Sequence, residues 1–197
     1  DGATAGQSGN GIHIEPDPTF IGQVHIERMT VLNSKRAGIY LNNVGYTNIT
    51  ATRVLGCGLH GIWLNGVQAG FNIVTSTNID GMTTSSSCPN GYGLYIEEAA
   101  QINVFGMVIE DTLGIKLAGT LYNKNINLIG IYQENSVAVP NTTFLTIVGG
   151  GANLVVQGCY GPGYTVDVSG SIQWDGTFID NSFPAPYVSG SSIFAEY

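Results

Sequence analysis

The sequence predicts an all-β fold, a right-handed parallel β-helix of about seven coils. A short motif of glycine and alternating apolar residues recurs at spacings of 21 to 32 residues, which leaves no space for a crossover helix between parallel strands. Charged residues make up only 10% of the 197 residues, whereas Gly, Asn and Thr are frequent. This composition is typical of strands and turns and not of helix surfaces, so stacked coils of short strands are the economical solution.

Each predicted coil contains three short strands separated by Gly or Asn corners. The first strand has the pattern Gly-apolar-x-apolar, in which both apolar side chains point into the core and the residue between them points outward. Its copies begin at Gly11, Gly38, Gly61, Gly93 and Gly114, with degenerate copies at Phe144 and Thr165. The second strand opens with asparagine, at Asn48, Asn72, Asn103, Asn127 and Asn153. The third opens with glycine, at Gly106, Gly130, Gly158 and Gly176.

An antiparallel sandwich is the alternative, since it also contains many short strands. It would place Asn-Gly or Asp-Gly hairpin turns at regular spacing, but most of these dipeptides fall at the predicted coil boundaries. We therefore predict a lead-in over residues 1–9, the β-helix over 10–180, and a cap or exit segment over 181–197 that contains Pro184 and Pro186. Because the chain begins at Asp1 without an initiator Met or a signal segment, we expect a piece of a longer protein.

The charge and the cysteines of the chain narrow the class of partner. A formal charge of −8 with only six Lys and Arg argues against nucleic acid as the ligand. No apolar run approaches the ~18 residues of a membrane helix, so we expect no membrane insertion.

Cys57, Cys88 and Cys159 are an odd number without CxxC spacing, which favours free thiols over a disulfide framework or a zinc site. The three histidines fall at different coil positions, so we expect no metal site and no cofactor.

The outward positions of the first strand form a column of stacked side chains. The predicted column is His13, Tyr40, Trp63, Tyr95, Lys116, Thr146 and Asp167. The next outward column is Glu15, Asn42, Asn65 and Glu97. Sugar rings have apolar faces that pack on aromatic rings, and hydroxyls that bind amides and carboxylates, so the two columns predict an elongated carbohydrate groove. Alternatively, the aromatic residues stabilise the sheet or pack against another subunit.

Acidic residues end the third strand, and we predict a column of Asp80, Glu110 and Glu134, with Asp180 further on. Adjacent carboxyls would lie about one strand spacing apart, where one pKa rises as a general acid requires. Glycoside hydrolysis typically uses two carboxyls at about 5 to 5.5 Å when retaining, or about 6.5 to 9.5 Å when inverting. Alternatively, these corner acids cap backbone amides, face water or hold a divalent cation.

Two insertions produce the longest spacings, at residues 83–91 and 136–143. Both follow the predicted acid column, so we expect two loops on either side of one coil. That coil contains Tyr95, Glu97, Glu98, Glu110 and Asp111. A cleft between loops that contains acids is the predicted location of an active site.

The coil motifs Gly106–Glu110 and Gly130–Asn135 resemble the β-helix of bacteriophage tailspikes and related pectate-lyase-like proteins. The resemblance covers about residues 10–180. It implies a homotrimer on the phage virion that acts outside the cell, at the host surface, where it binds capsule or O-antigen polysaccharide. Many proteins of that class cleave the polysaccharide by hydrolysis or elimination. Their active carboxylates vary in position, so the resemblance transfers no catalytic residue to this chain.

We predict that the protein binds and cleaves bacterial surface polysaccharide as an endo-acting glycoside hydrolase. Glu110 and Glu134 are the leading carboxyl pair, with Glu97 and Asp80 as alternates. The predicted sugar-binding residues are Tyr40, Trp63, Tyr95, Asn42, Asn65 and Lys116. One alternative is a receptor-binding or structural β-helix segment without catalysis. The other is a polysaccharide lyase that uses Lys116, His60 or a tyrosine as its base.

Overall fold

A computed structural model describes residues 9–15, 23–66, 74–80, 83–85, 88, 91–134, 143–162, 164–167, 175–183, 187–189 and 193–196. Its strands are β1 (Ile12–Ile14), β2 (Val24–Glu27), β3 (Thr30–Ser34), β4 (Ile39–Asn42), β5 (Thr47–Thr50), β6 (Arg53–Cys57), β7 (Ile62–Asn65), β8 (Val74–Asp80), β9 (Thr83–Ser85), β10 (Leu94–Glu97), β11 (Ala99–Phe105), β12 (Val108–Glu110), β13 (Ile115–Ile129), β14 (Tyr132–Glu134), β15 (Leu145–Gln157), β16 (Tyr164–Asp167), β17 (Asp175–Ile179), β18 (Tyr187–Ser189) and β19 (Ile193–Glu196). Within the described ranges, no helix is long and apolar enough to cross a membrane.

The strands stack in parallel as a β-solenoid, which confirms the predicted fold class. We name three faces of the solenoid. The first face contains β1, β4, β7, β10, the start of β13 and of β15, β16 and β18. The second contains β2, β5, β8, β11, the end of β13 and of β15, β17 and β19. The third is a separate five-stranded sheet of β3, β6, β9, β12 and β14.

The number of coils differs slightly from the prediction. The third face has five paired strands, so the described chain completes about five turns where about seven were predicted. Isolated bridges from Tyr132 to Tyr160 and from Tyr160 to Ser182 continue the third face beyond β14. Strands β18 and β19 lie within the predicted cap segment and extend the first and second faces. Fading of the sequence motif after Asp180 therefore does not mark the end of strand stacking.

The core consists of the apolar side chains that alternate along each strand. Ile39 pairs with Ile62 and Leu41 with Leu64, and all four side chains are fully buried. Full burial of each such side chain contributes about 1.5–3 kcal/mol relative to an exposed position. The cysteines are free and lie in this core, in agreement with the prediction.

A single residue with positive φ forms each described corner between the second and third faces. Glycine occupies it at Gly106, Gly130 and Gly158, with φ values of 58°, 62° and 60°. They are three of the four glycines that open the third motif of the sequence, because left-handed backbone favours glycine. The fourth, Gly176, was assigned wrongly: it lies in β17 on the second face, where it pairs with Leu154. The same corner is formed elsewhere by Arg28, Ala51 and Asp180, with φ values of 52°, 46° and 51°.

Candidate functional site

The aromatic residues of the first face stack in the predicted register. His13 pairs with Tyr40, Tyr40 with Trp63, Trp63 with Tyr95 and Tyr95 with Lys116. We call His13, Tyr40, Trp63 and Tyr95 the aromatic ladder. Its successive ring centroids are 4.9, 4.9 and 5.7 Å apart. The prediction is confirmed over this part of the column.

The far end of the column differs from the prediction. Lys116 pairs with Thr146 as expected, but Thr146 then pairs with Thr165 and not with Asp167. Asp167 instead pairs with Val148. A slip of two residues leaves the apolar and polar alternation unchanged, which is why the sequence pattern alone did not reveal it.

Two further rings join the aromatic ladder from the corner that precedes the first face. The ring of His60 lies 5.3 Å from Trp63 and 4.8 Å from Tyr95, and Tyr92 lies 6.1 Å from Tyr95 and 5.9 Å from His60. Sequence reasoning missed Tyr92, because corner residues show no alternation. Its position was recoverable: His60 and Tyr92 both lie two residues before the strand residues that pair across coils, Ile62 and Leu94.

Burial inside this cluster shifts the acid-base behaviour of its side chains. Burial first, and the positive charges of Lys116 and Arg36 after it, together lower the pKa of His60 from 6.5 to about 4. Burial, followed by the negative charge of Glu97, raises the pKa of Tyr95 to about 12. At neutral pH the histidine is therefore uncharged and the phenol keeps its proton.

Two cations lie over the rings of the cluster. The guanidinium carbon of Arg36 is 5.8 Å from the centroid of Trp63. The Nζ atom of Lys116 is 5.3 Å from the ring of Tyr95 and 5.4 Å from that of Tyr92. All three distances are typical of cation–π contacts, which stabilise a charge without neutralising it.

The second predicted column forms a chain of polar contacts beside the aromatic ladder. Asn42 Nδ2 donates a hydrogen bond to Glu15 Oε1 at 2.6 Å, and Asn65 Nδ2 donates to Asn42 Oδ1 at 2.8 Å. Asn65 Nδ2 also donates to the hydroxyl oxygen of Tyr40 at 3.0 Å. Glu97 follows in register with Asn65. We call Glu15, Asn42, Asn65 and Glu97 the amide column, and its predicted register is confirmed.

Glu110 and Glu134 are direct neighbours on the third face, where β12 pairs with β14. One parallel strand spacing, about 4.8 Å, therefore separates their backbones. Glu110 is half-buried and Glu134 is exposed. Neither residue lies on the same sheet as the aromatic ladder, because the corner of residues 111–114 separates the third face from the first.

The other two members of the predicted acid column lie elsewhere. Asp80 ends β8 on the second face, where it pairs with Thr50 and Phe105. Asp180 occupies the left-handed corner that glycine forms in three other coils. The prediction of a four-acid column was therefore wrong. It aligned the copies of the third motif by their last residue, the acid, whereas the corner residue with positive φ fixes the register of the strands.

Tyr132 and Tyr160 form an aromatic stack beside the Glu110–Glu134 pair that the sequence reasoning did not identify as a site. Their centroids are 5.0 Å apart and their planes differ by 11°. Tyr132 is 41% exposed and Tyr160 is 50% exposed. The nearby negative charge of Glu134 raises the pKa of Tyr132, which places the carboxylate next to the stack. The Gly-x-Tyr spacing shared by Gly130 and Gly158 was the available signal.

The two predicted loops have different outcomes. Residues 83–85 of the first insertion form β9 on the third face, and Cys88 bridges to Thr112, so part of that insertion is strand. The rest of it largely lies outside the described residues. In the second insertion, residues 136–142 also lie outside them.

No group of three or more His, Cys, Asp or Glu side chains converges as a metal site in the described ranges.

A cavity of about 340 Å³ lies at the first coil, between residues 9–12 and 29–35. It contains none of the predicted catalytic or sugar-binding residues. The candidate sites described above are rows of stacked side chains on the first and third faces.

No protein-family model matches this chain, and no curated protein matches it.

Proposed function

We propose that the protein binds a bacterial surface polysaccharide along the first face of the solenoid. The supporting observation is the aromatic ladder, in which three large rings from adjacent coils form one strip beside the amide column. A polysaccharide is an extended ligand with repeated sugar rings, and an open strip of repeated side chains is complementary to such a shape.

Each column of the strip offers the chemistry of one part of a sugar. Tyr40, Trp63 and Tyr95 are half-buried, and the parts of their rings that remain exposed offer apolar area for the C–H face of a pyranose ring. The accessible members of the amide column, Glu15, Asn65 and Glu97, offer hydrogen-bonding groups for hydroxyls, whereas the buried Asn42 positions its neighbours. The internal hydrogen bonds of the column hold Asn42 and Asn65 in place before a ligand arrives, which lowers the entropic cost of binding.

The biological setting that we propose is that of a phage tailspike. The resemblance of the coil motifs supports it, as does the parallel β-solenoid fold. In that setting the chain forms part of a homotrimer on the virion and contacts capsule or O-antigen polysaccharide at the host cell surface.

A binding experiment tests the proposal directly. The protein is titrated with purified capsular and O-antigen polysaccharides, and affinities are measured by calorimetry. We expect at least one polysaccharide to bind, and Trp63→Ala to weaken that binding at least tenfold. Phe105→Ala is the matched control, because Phe105 is an exposed aromatic residue on the second face. Absence of binding across a broad panel, or equal effects of both variants, would contradict the proposal.

Cleavage of the polysaccharide at the third face is a second candidate function. Its specific support is the direct register of Glu110 and Glu134, whose backbone separation lies near the carboxyl separation of about 5 to 5.5 Å in retaining glycoside hydrolases. The exposed stack of Tyr132 and Tyr160 beside them offers a flat surface for a sugar ring. The sugar that is cleaved would then lie on the third face, around the corner from the aromatic ladder.

An assay for new reducing ends measures this hydrolysis, because each cleaved glycosidic bond produces one. We expect Glu110→Gln and Glu134→Gln each to reduce turnover by orders of magnitude, because retaining hydrolysis needs both carboxyls. Glu27→Gln is the control, since Glu27 is an exposed acid at the end of β2 that pairs with Arg28. Full activity in both active-site variants would exclude the pair. Ultraviolet absorbance from an unsaturated product would instead indicate elimination, and binding without any cleavage would indicate a receptor-binding protein.

A further inference from the structure

Two cations lie over the rings of the aromatic surface on the first face. Arg36 lies over Trp63 and Lys116 over Tyr92 and Tyr95. Trp63 and Tyr95 stack at 5.7 Å, so the two positive groups lie over rings of neighbouring coils. The chain has only six Lys and Arg and a net charge of −8, which makes a pair of cations on one surface a distinctive feature.

Neither cation forms an ion pair with a carboxylate among the described residues. The two nearest acids of the amide column have other partners. Glu15 accepts a hydrogen bond from Asn42 and lies 3.2 Å from His13 Nε2, and Glu97 interacts with the hydroxyl group of Tyr95. The acids of this face are therefore engaged by protein groups, whereas Arg36 and Lys116 keep their charge available to a ligand.

A neutral hydrogen-bond donor accompanies the two cations. Nδ1 of His60 accepts a hydrogen bond from the backbone N–H of Tyr92, which fixes the proton of the neutral ring on Nε2. Lys116 and Arg36 both lower the pKa of this ring, so both charges act at its position. An N–H donor close to two cations is a suitable arrangement for an anionic group.

We propose that the ligand of the first face is an acidic polysaccharide whose carboxylate groups bind Arg36, Lys116 and the Nε2–H of His60. This inference rests on the proposed function and adds the chemical class of the ligand. Sugar rings pack on the aromatic ladder, hydroxyl groups bind the amide column, and the acid groups lie toward the corner that precedes the first face.

The experiment uses purified bacterial polysaccharides, half of them containing uronic acids, together with the carboxyl-reduced form of each acidic one. Calorimetry measures the affinity of each. We expect the bound members to be acidic and carboxyl reduction to weaken binding at least tenfold. Lys116→Gln and Arg36→Gln should each weaken binding of the native polymer about tenfold, and Lys116→Arg should retain it. Arg53→Gln on the third face is the control and should leave the affinity unchanged.

The outcomes separate the two proposals. If no polysaccharide binds, the proposed function fails and this inference fails with it. If neutral polymers bind, or if carboxyl reduction leaves the affinity unchanged, only the acidic class is wrong. Equal losses in Lys116→Gln and Arg53→Gln would show general charge attraction, which also contradicts a specific carboxylate site.

Discussion

The Nδ1 atom of His60 accepts a hydrogen bond from the backbone N–H of Tyr92, 3.2 Å away, and this contact joins the corners of two adjacent coils. The same imidazole packs against Trp63 and Tyr95 of the aromatic ladder. A single side chain thus connects coil stacking to the surface on which we propose that sugars bind. Because it accepts a hydrogen bond at Nδ1, the ring must stay neutral at that atom for the contact to persist.

Protonation of His60 is therefore expected to destabilise the protein. Burial, Lys116 and Arg36 lower its pKa from 6.5 to about 4. The unfolded chain binds the proton more readily between these values, so stability is unaffected by this group above pH 6.5 and falls as the pH decreases toward 4. We expect the Tm of the wild type to fall more steeply than that of His60→Gln over this window. Equal slopes would contradict the prediction.

The positive charge of Lys116 gives a second test of the same group. Proton NMR of the His60 ring should report a pKa of about 4 in the wild type. We expect Lys116→Gln to raise the pKa of His60, because it removes the positive charge that lowers this pKa most. Arg36→Gln should raise the pKa less, because the effect of Arg36 is smaller. The control is Arg53→Gln, whose side chain lies on the third face. An unchanged pKa in Lys116→Gln would show that the charge of Lys116 does not contribute to the shift.

Asn65 should be the most sensitive member of the amide column. Its Nδ2 group donates to Asn42 Oδ1 and to the Tyr40 hydroxyl, and Asn42 is only 6% exposed. Asn65→Ala leaves the buried carbonyl of Asn42 without this donor, which should cost about 1–3 kcal/mol in the free energy of unfolding. Asn65→Asp should cost more, because a carboxylate faces that carbonyl, and Tyr40→Phe should cost less. Urea denaturation measures the free energy of unfolding of each variant. An Asn65→Asp variant as stable as the wild type would contradict the predicted order.

The glycines of the solenoid should fall into two classes of sensitivity. A Cβ atom on Gly106 or Gly158 meets nothing within 4 Å, so alanine there would add only the cost of positive φ, about 1–2 kcal/mol. A Cβ atom on Gly114 would lie 2.0 Å from the carbonyl oxygen of Thr143 in the next coil. We expect Gly114→Ala to prevent folding or to lower the Tm far more than Gly158→Ala.

Conversely, Ala51→Gly should stabilise the protein, because Ala51 has a φ of 46°.

The sequence predicted the aromatic ladder because glycine marks the start of each first strand and alternation then assigns every outward side chain. The sequence pattern alone therefore aligns Tyr40, Trp63 and Tyr95 correctly. The acids were misaligned because a corner is defined by backbone conformation, which several residue types adopt. Asp180 has the φ of its glycine equivalents, and nothing in its side chain indicates this.

The contribution of His60 and Tyr92 was hidden for a related reason. Corner residues have no period of two, so their direction follows from local backbone geometry and not from alternation. Contacts between the third and first faces likewise depend on the shape of the corner. By contrast, the strand pattern placed Glu110 and Glu134 on the third strand and the aromatic ladder on the first, and the two do lie on separate sheets.

The segment after Asp180 should contribute directly to stability, although its sequence motif has faded. Asn181 Oδ1 accepts a hydrogen bond from the backbone N–H of Cys159 at 2.9 Å, and its Nδ2 donates to the carbonyl of Val156 at 2.9 Å. Asn181→Ala leaves both backbone groups without these partners, and we expect a loss of about 1–3 kcal/mol in the free energy of unfolding. Ser182→Ala is the matched control, because Ser182 is exposed and bonds through its backbone. If chemical denaturation shows equal stability for both variants, the side chain of Asn181 contributes no more than an exposed surface position.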